Sequence, residues 1–269
     1  MSLEYFVKTI CDRKVKPIKY SFDKEIHIFY FIYPIILIVG LILSLFIPND
    51  WKSFYFFSSR NLVNKLFAYK GNIIFTVLYT LLSISRVVSI PLKKQLMISL
   101  LPIPNTISVN NEKNNKSKLK VALSQITKFI LKNLILYINF FIIDHLFVFT
   151  GGNCFVDDEP VTSITDSQVC GKLNGVWKGG FDISGHFCFI VSISLVLFNE
   201  LKIMIDDYQF KQANKIISTL TLVTLFTWCC VLVVTSVFYH TLVEKILGLS
   251  MGYICPLVIY SKIFEKVLI

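Results

Sequence analysis

Apolar residues in this chain come in long unbroken runs, not in the one-faced patterns of a soluble fold. Six runs are long enough to cross a bilayer, with edges near 27–47, 71–90, 129–149, 184–205, 216–239 and 246–264. About 20 residues at about 1.5 Å of rise each match a hydrocarbon core about 30 Å thick. The pattern predicts an all-α, polytopic membrane protein with six transmembrane helices, a single domain over 1–269. The stretch from Leu220 to Phe238 is rich in β-branched residues, which in water would favour a strand; its length predicts a helix in lipid. The segment 105–120 is Asn- and Lys-rich and low in complexity, and predicts a disordered loop.

Composition agrees with this picture. The 269 residues are 54% hydrophobic and only 16% charged, which excludes an ordinary soluble domain. The net charge of +10 therefore points to anionic headgroups and topology, and not to nucleic acid. Lys and Arg crowd 1–26 (Lys8, Arg13, Lys14, Lys16, Lys19, Lys24) and 91–128 (among them Lys93, Lys94, Lys113 and Lys128). Lys211 and Lys215 follow in 206–215, and Lys262 and Lys266 in the tail. These segments are expected on the cytosolic side, with both termini. The loops 48–70 and 150–183 are then luminal. The second is acidic; the first, with Lys52, Arg60, Lys65 and Lys70, fits the rule less well. Arg86 and Lys132 are expected near the cytosolic boundary, where they can snorkel. The polar stretch 1–26 does not read as a cleavable signal peptide.

Of seven cysteines, Cys154 and Cys170 share one polar loop, where a disulfide can form if the loop faces an oxidising compartment. The others read as small buried hydrophobes. No Cys/His spacing resembles a metal site, and no cofactor is expected.

Candidate chemistry lies at Gly179–Phe187, where a polar acidic segment gives way to an apolar run. A helix starting at Asp182 or Ser184 has a good N-cap and turns unpaired N–H groups toward any nearby anion. His186 would stand in its first turn. On the expected topology, the fourth helix descends from His186 and the fifth returns to end at His240, so both imidazoles reach the same membrane face. In a helical His240–Glu244 segment the two side chains share a face, and the carboxylate could fix the imidazole tautomer. One histidine activated in this way, with a second at a helix N-terminus, can cleave a phosphate ester or anhydride. Ser184, Gly185 and His186 N–H groups would hold the phosphoryl oxygens. The plainer reading makes interfacial histidines headgroup anchors, and His27 and His145 are assigned to that class. Asp144, inside an apolar run, is either a packing polar group or a functional one.

These residues carry a resemblance. Gly180-Phe181-Asp182-Ile183-Ser184-Gly185-His186-Phe187, together with Phe238-Tyr239-His240-Thr241-Leu242-Val243-Glu244-Lys245-Ile246-Leu247-Gly248, resembles the fat storage-inducing transmembrane family. Thr150–Cys154, Cys170 with Gly175-Val176-Trp177, and the Asn-containing run Arg60–Lys70 are similar to further parts of that family, and the Asn/Lys-rich loop suggests a fungal member. The resemblance implies a lipid-phosphatase-like helical bundle in the endoplasmic reticulum membrane, active toward its lumen. It implies cleavage of the diphosphate of fatty acyl-CoA to acyl 4′-phosphopantetheine and adenosine 3′,5′-bisphosphate, in support of lipid-droplet biogenesis and membrane homeostasis. His186 then corresponds to the acid, His240 to the nucleophile, and Glu244 to the usual aspartate. The Lys-x6-Arg-Pro motif of lipid phosphatases is absent, and Val233-Val234 stands where Ser-Arg would precede the nucleophile. Lys70, Lys178 and Lys245 are the candidate phosphate-binding substitutes, each a point charge and not a bidentate clamp. The competing function is a non-catalytic membrane protein that binds di- and triacylglycerol, with structural histidines.

Overall fold

The computed structural model describes residues 24–55, 57, 58, 61–99, 107–206 and 212–261. Arg60 and most of the cationic N-terminal segment lie outside these residues, as does the side chain of His27. The chain divides into two compact units, 1–32 and 33–269. The first is described only from Lys24 onward, as the start of helix α1 (Lys24–Ser44).

In the second unit a 3-10 turn (Asn49–Ser53) is followed by the short helix α2 (Leu62–Asn64), which runs into a π turn (Lys65–Tyr69). Then come α3 (Gly71–Ser99) and α4 (Ile107–Phe149). A small cap follows: β1 (Asn153–Val156), β2 (Glu159–Val161), α5 (Ser167–Lys172) and β3 (Val176–Lys178). Three further helices complete it: α6 (Gly185–Asp206), α7 (Gln212–Phe238) and α8 (Leu242–Ile259).

Five of these helices are long and apolar enough to cross a membrane: Gly71–Val88, Lys118–Phe149, Gly185–Ile205, Lys215–Phe238 and Leu242–Ile259. The apolar part of α1, Phe29–Ser44, is shorter. The β-branched stretch ending at Phe238 is helical, as its length predicts. Where the sequence predicts a disordered loop over 105–120, the chain from Ile107 on is helical and continuous with the span that follows. A helix already nucleated in that span propagates at the cost of one residue's freedom per hydrogen bond, and Lys and Glu are good helix formers.

Helix α6 is the axis of the bundle. Every residue from Ile190 to Leu197 is buried, so this helix is enclosed on all sides by α3, α4, α7 and α8. The outer helices show the reverse pattern. Ile126, Ile130, Leu134, Tyr137 and Phe141 on α4, and Ile216, Leu220, Val223 and Phe226 on α7, form exposed apolar stripes at helical spacing. Apolar residues outside are what a lipid solvent requires.

The buried charges of Glu200 and Lys132 have polar partners inside the bundle. At the end of α6 far from His186, Glu200 accepts from Lys128 Nζ at 2.7 Å, Gln125 Nε2 at 2.9 Å and Tyr260 Oη at 2.7 Å, and pairs with Arg86 at 3.4 Å. This links α3, α4, α6 and the residue after α8. Lys132 does not snorkel as the sequence suggested. It is fully buried, because it faces the start of α3, where its Nζ donates to Asn72 Oδ1 at 2.8 Å and to Asn133 Oδ1 at 2.7 Å. The rings of Phe75 and Phe129 flank the same ammonium.

Small residues let α6 and α8 close on each other. A Cβ on Gly248 would stand 2.4 Å from the Ser184 carbonyl oxygen, and one on Gly252 would stand 2.8 Å from Val191 Cβ. The cap is an antiparallel sheet in the order β2-β1-β3, with Cys154 of β1 disulfide-bonded to Cys170 of α5. It rests on the bundle through Trp177, stacked on Phe147 at the end of α4. The sequence reading treated this whole segment as loop, since strands of three or four residues leave almost no periodicity to read.

Gly248→Ala should lower the melting temperature of the detergent-solubilised protein, by the equivalent of about 1–3 kcal/mol for overpacking against backbone. Gly171→Ala, where a Cβ would meet nothing within 4 Å, should leave it unchanged.

Candidate active site

The chain leaves the cap through Gly179 and Gly180, both at positive φ (85° and 54°). Gly180 passes so close to α4 that a Cβ there would lie 2.4 Å from the Phe147 carbonyl oxygen. The Phe181 N–H donates to Thr150 Oγ1 at 2.6 Å. This tight passage delivers Asp182, Ile183 and Ser184 to the top of α6, which begins at Gly185. His186 therefore sits in the first turn, as the sequence predicts.

The second histidine arrives differently. Helix α7 ends at Phe238, and His240 lies in the turn before α8 with φ 59°, a left-handed conformation uncommon for a side-chain-bearing residue. Helix α8 then starts on Thr241 as N-cap with a capping box: Thr241 N–H donates to Glu244 Oε2 at 2.6 Å, and Glu244 N–H donates to Thr241 Oγ1. His240 and Glu244 thus do not share a helical face, and the direct contact expected between them is not made. The local Thr-x-x-Glu signal that starts a helix outcompetes a continuous helix through His240.

The carboxylate of Glu244 does something else. Its other oxygen, Oε1, accepts from the Asp182 N–H at 2.9 Å, and its carbonyl accepts from the Ser184 N–H at 3.1 Å. One residue ties the segment before His186 to the segment after His240. The group beside His240 is Asp182, which the sequence offers as a helix N-cap and not as a partner of His240. Nδ1 of His240 lies 2.9 Å from the Asp182 carbonyl oxygen and 3.4 Å from its Oδ2. A carbonyl can only accept, so Nδ1 carries the proton and Nε2 keeps its lone pair. Partial burial holds the Asp182 carboxyl above the usual carboxylate range; His240 opposes the shift and Glu244 adds to it.

His186 is held by Asn64, at the end of α2, whose Oδ1 lies 3.0 Å from Nε2. That oxygen accepts, so Nε2 bears a proton. Asn64 is in turn placed by Asn61, whose side chain accepts from the Asn64 N–H at 2.6 Å and caps α2. Tyr69, closing the π turn, sets its ring edge-on to His186 with centroids 6.1 Å apart. The two imidazoles stand at the same end of the bundle, because Glu244 bonds both the segment before His186 and the turn after His240. Ser184 is fully buried, with no partner for its hydroxyl among the described residues. It precedes α6 without capping it through the side chain, unlike the N-cap role expected of it. Gly185 opens the helix against the ring of Phe140.

The three candidate lysines separate. Lys245 is buried, and its Nζ donates to the Ser236 carbonyl at 2.6 Å, capping the C-terminal turn of α7 instead of facing a ligand. Lys178 lies on the exposed cap, 3.4 Å from Asp158 Oδ1 and over the Phe155 ring. Lys70 is exposed, next to Tyr69. His145 is apart from the pair, bonded to the Phe141 carbonyl on the outer side of α4. Among the described residues no group of three or more His, Cys, Asp or Glu could hold a metal.

A profile of the family described as fat storage-inducing transmembrane protein matches residues 52–219 and 204–260. The chain belongs to the fat storage-inducing transmembrane family. Among similar proteins, the acyl-coenzyme A diphosphatase YFT2 of Saccharomyces cerevisiae is 35% identical over 254 residues, covering 86% of this chain and 90% of that protein. The acyl-coenzyme A diphosphatase fit1 of Schizosaccharomyces pombe is 28% identical over 85% of this chain and 82% of its own length. The acyl-coenzyme A diphosphatase FITM2 of Danio rerio is 31% identical over 54% of this chain and 60% of its own length. No solved structure matches this chain. Asn64 and Asp182 contact the candidate histidines, and sequence reasoning did not place them there. Asn64 lay inside the Asn-containing run already noted, but nothing local pointed it at His186, 122 positions away.

Glu244→Gln should destabilise the protein by about 1–3 kcal/mol, because an amide can accept only at one of two places where N–H groups now converge. Thermal unfolding of the solubilised protein measures this. Asp182→Asn should act oppositely at neutral pH. The raised folded-state pKa of Asp182 means that its stabilising effect is present at acid pH and lost as pH rises through that pKa. The variant should therefore melt at or above the wild-type temperature at pH 7, and the two should converge as pH falls.

Proposed function

We propose that this protein is a fatty acyl-CoA diphosphatase of the endoplasmic reticulum membrane, with His240 as nucleophile and His186 as acid. The observation that supports the reading is that Glu244 and Asp182 tie together the segments that carry His186 and His240, at one end of the bundle. His240 keeps a free Nε2 lone pair, with its Nδ1–H fixed on Asp182. The names of the relatives supply the substrate class.

Nε2 of His240 attacks phosphorus and the P–O bond of the diphosphate breaks. The electron pair goes to the leaving oxygen, which takes a proton from His186. Asn64 holds Nε2–H of His186, which leaves Nδ1 as the ring position for that proton. Water then cleaves the phosphohistidine with His186 as base, giving acyl 4′-phosphopantetheine and adenosine 3′,5′-bisphosphate. The first-turn N–H groups of α6 and the unpartnered Ser184 hydroxyl offer donors to the phosphoryl oxygens. Asp182 fixes the tautomer and orientation of His240, and Glu244 positions both segments. Lys70, exposed beside Tyr69, is the lysine proposed to bind phosphate.

The acyl chain lies among the helices, with α1 counted as a sixth span and both termini in the cytosol. The Cys154–Cys170 bond, which persists in oxidising compartments, supports a lumen-facing cap and site. The proposed role is to support lipid-droplet formation and membrane homeostasis.

Purified protein should release adenosine 3′,5′-bisphosphate from a long-chain acyl-CoA. His240→Ala should abolish release, and His186→Ala should lower kcat by about a hundredfold or more. Turnover retained in His240→Ala would remove the nucleophile. Wild-type protein that binds neutral lipid but leaves acyl-CoA intact would favour the non-catalytic scaffold.

A further inference from the structure

The end of the bundle that bears the histidines carries a cation that neither the fold nor the proposed chemistry uses. Lys52 projects from the 3-10 turn Asn49–Ser53, with its Nζ 4.4 Å from the centre of the Tyr239 ring. Tyr239 is the residue before His240. Lys52 is exposed, and no carboxylate of the described residues lies within ion-pair distance of it. Lys178 and Lys245, by contrast, are committed to Asp158 and to the Ser236 carbonyl.

The turn is built, not draped. Trp51 stacks on Phe57 with centroids 6.2 Å apart and meets Phe54 edge-on at 6.3 Å. Phe57 packs on Phe238 at 5.1 Å, and Tyr239 Oη donates to the Phe57 carbonyl at 3.0 Å. An ammonium is therefore held over an aromatic face beside the proposed nucleophile, with half of the Trp51 indole surface still open. Lys52 makes no hydrogen bond or ion pair with either imidazole. Held over the residue that precedes His240, it suits an anion of the substrate's polar part that is not the reacting phosphate itself. In a coenzyme A thioester that anion is the 3′-phosphate of the nucleotide.

We propose that Lys52, placed over Tyr239, recognises the 3′-phosphate of the substrate's nucleotide and makes the site select 3′-phosphorylated diphosphates. This rests on the diphosphatase reading given above. The aromatic face holds the charge, and the missing acidic partner leaves it free to take a phosphate from water.

The test compares a long-chain acyl-CoA with its 3′-dephospho analogue, in wild type, Lys52→Ala and Lys52→Arg. Wild type should favour the 3′-phosphorylated substrate by about tenfold or more in kcat/KM, the worth of one charge-assisted contact. In Lys52→Ala the preference should collapse toward unity through a rise in KM for acyl-CoA alone, with kcat within about twofold of wild type, because no reacting atom is touched. Lys52→Arg should restore most of it. Adenosine 3′,5′-bisphosphate should inhibit wild type more strongly than adenosine 5′-monophosphate, and Lys52→Ala should erase that difference. If wild type turns over acyl-CoA and Lys52→Ala keeps the full preference, Lys52 is an interfacial anchor and this proposal falls while the diphosphatase reading stands. If wild type turns over neither substrate, the reading beneath it falls and takes this proposal with it.

Discussion

Everything at the site depends on the four-way anchoring of Glu244. Its carboxylate accepts from its own N-cap residue, Thr241, and from Asp182. Its carbonyl accepts from Ser184, and its amide closes the capping box. Two chain segments that share no sequence neighbourhood are thereby fixed to within hydrogen-bond tolerance. The glycines at 248 and 252 permit this, since a side chain at either would hold α6 and α8 apart. A carboxylate at this place satisfies N–H groups that have no other partner at the ends of two helices, which is a stronger demand than orienting one imidazole.

The membrane setting explains the rest of the polar placement. An unmatched polar group in hydrocarbon is costly, so the bundle gathers its charges. Glu200 is answered by Lys128, Arg86, Gln125 and Tyr260 far from the histidines. Lys132, without a carboxylate among its described contacts, is held by two amides and two aromatic faces. With α6 enclosed throughout its middle, the helix that presents His186 has little freedom to shift.

Much of this was legible in the sequence. Run length alone located the long helices, because the hydrocarbon thickness sets a minimum that few soluble helices meet. The same-end placement of His186 and His240 followed from counting crossings. What the sequence hid were contacts set by tertiary packing. The His240-to-Glu244 spacing suggested a shared helical face, but the capping box on Thr241 and the left-handed backbone at His240 break that helix. Lys245 looked available for phosphate because nothing local reveals that its ammonium reaches back to Ser236. Asn64 and Asp182 became site residues only through partners 122 and 58 positions away.

The clasp between the last helix and the loop before α6 has a bearing on biogenesis. Glu244 comes 62 positions after Asp182, and it is Glu244 that holds the Asp182 segment beside His240. The residues before His186 are therefore synthesised well before the helix that clasps them. The two histidines are brought to one place only when α8 has packed on α6.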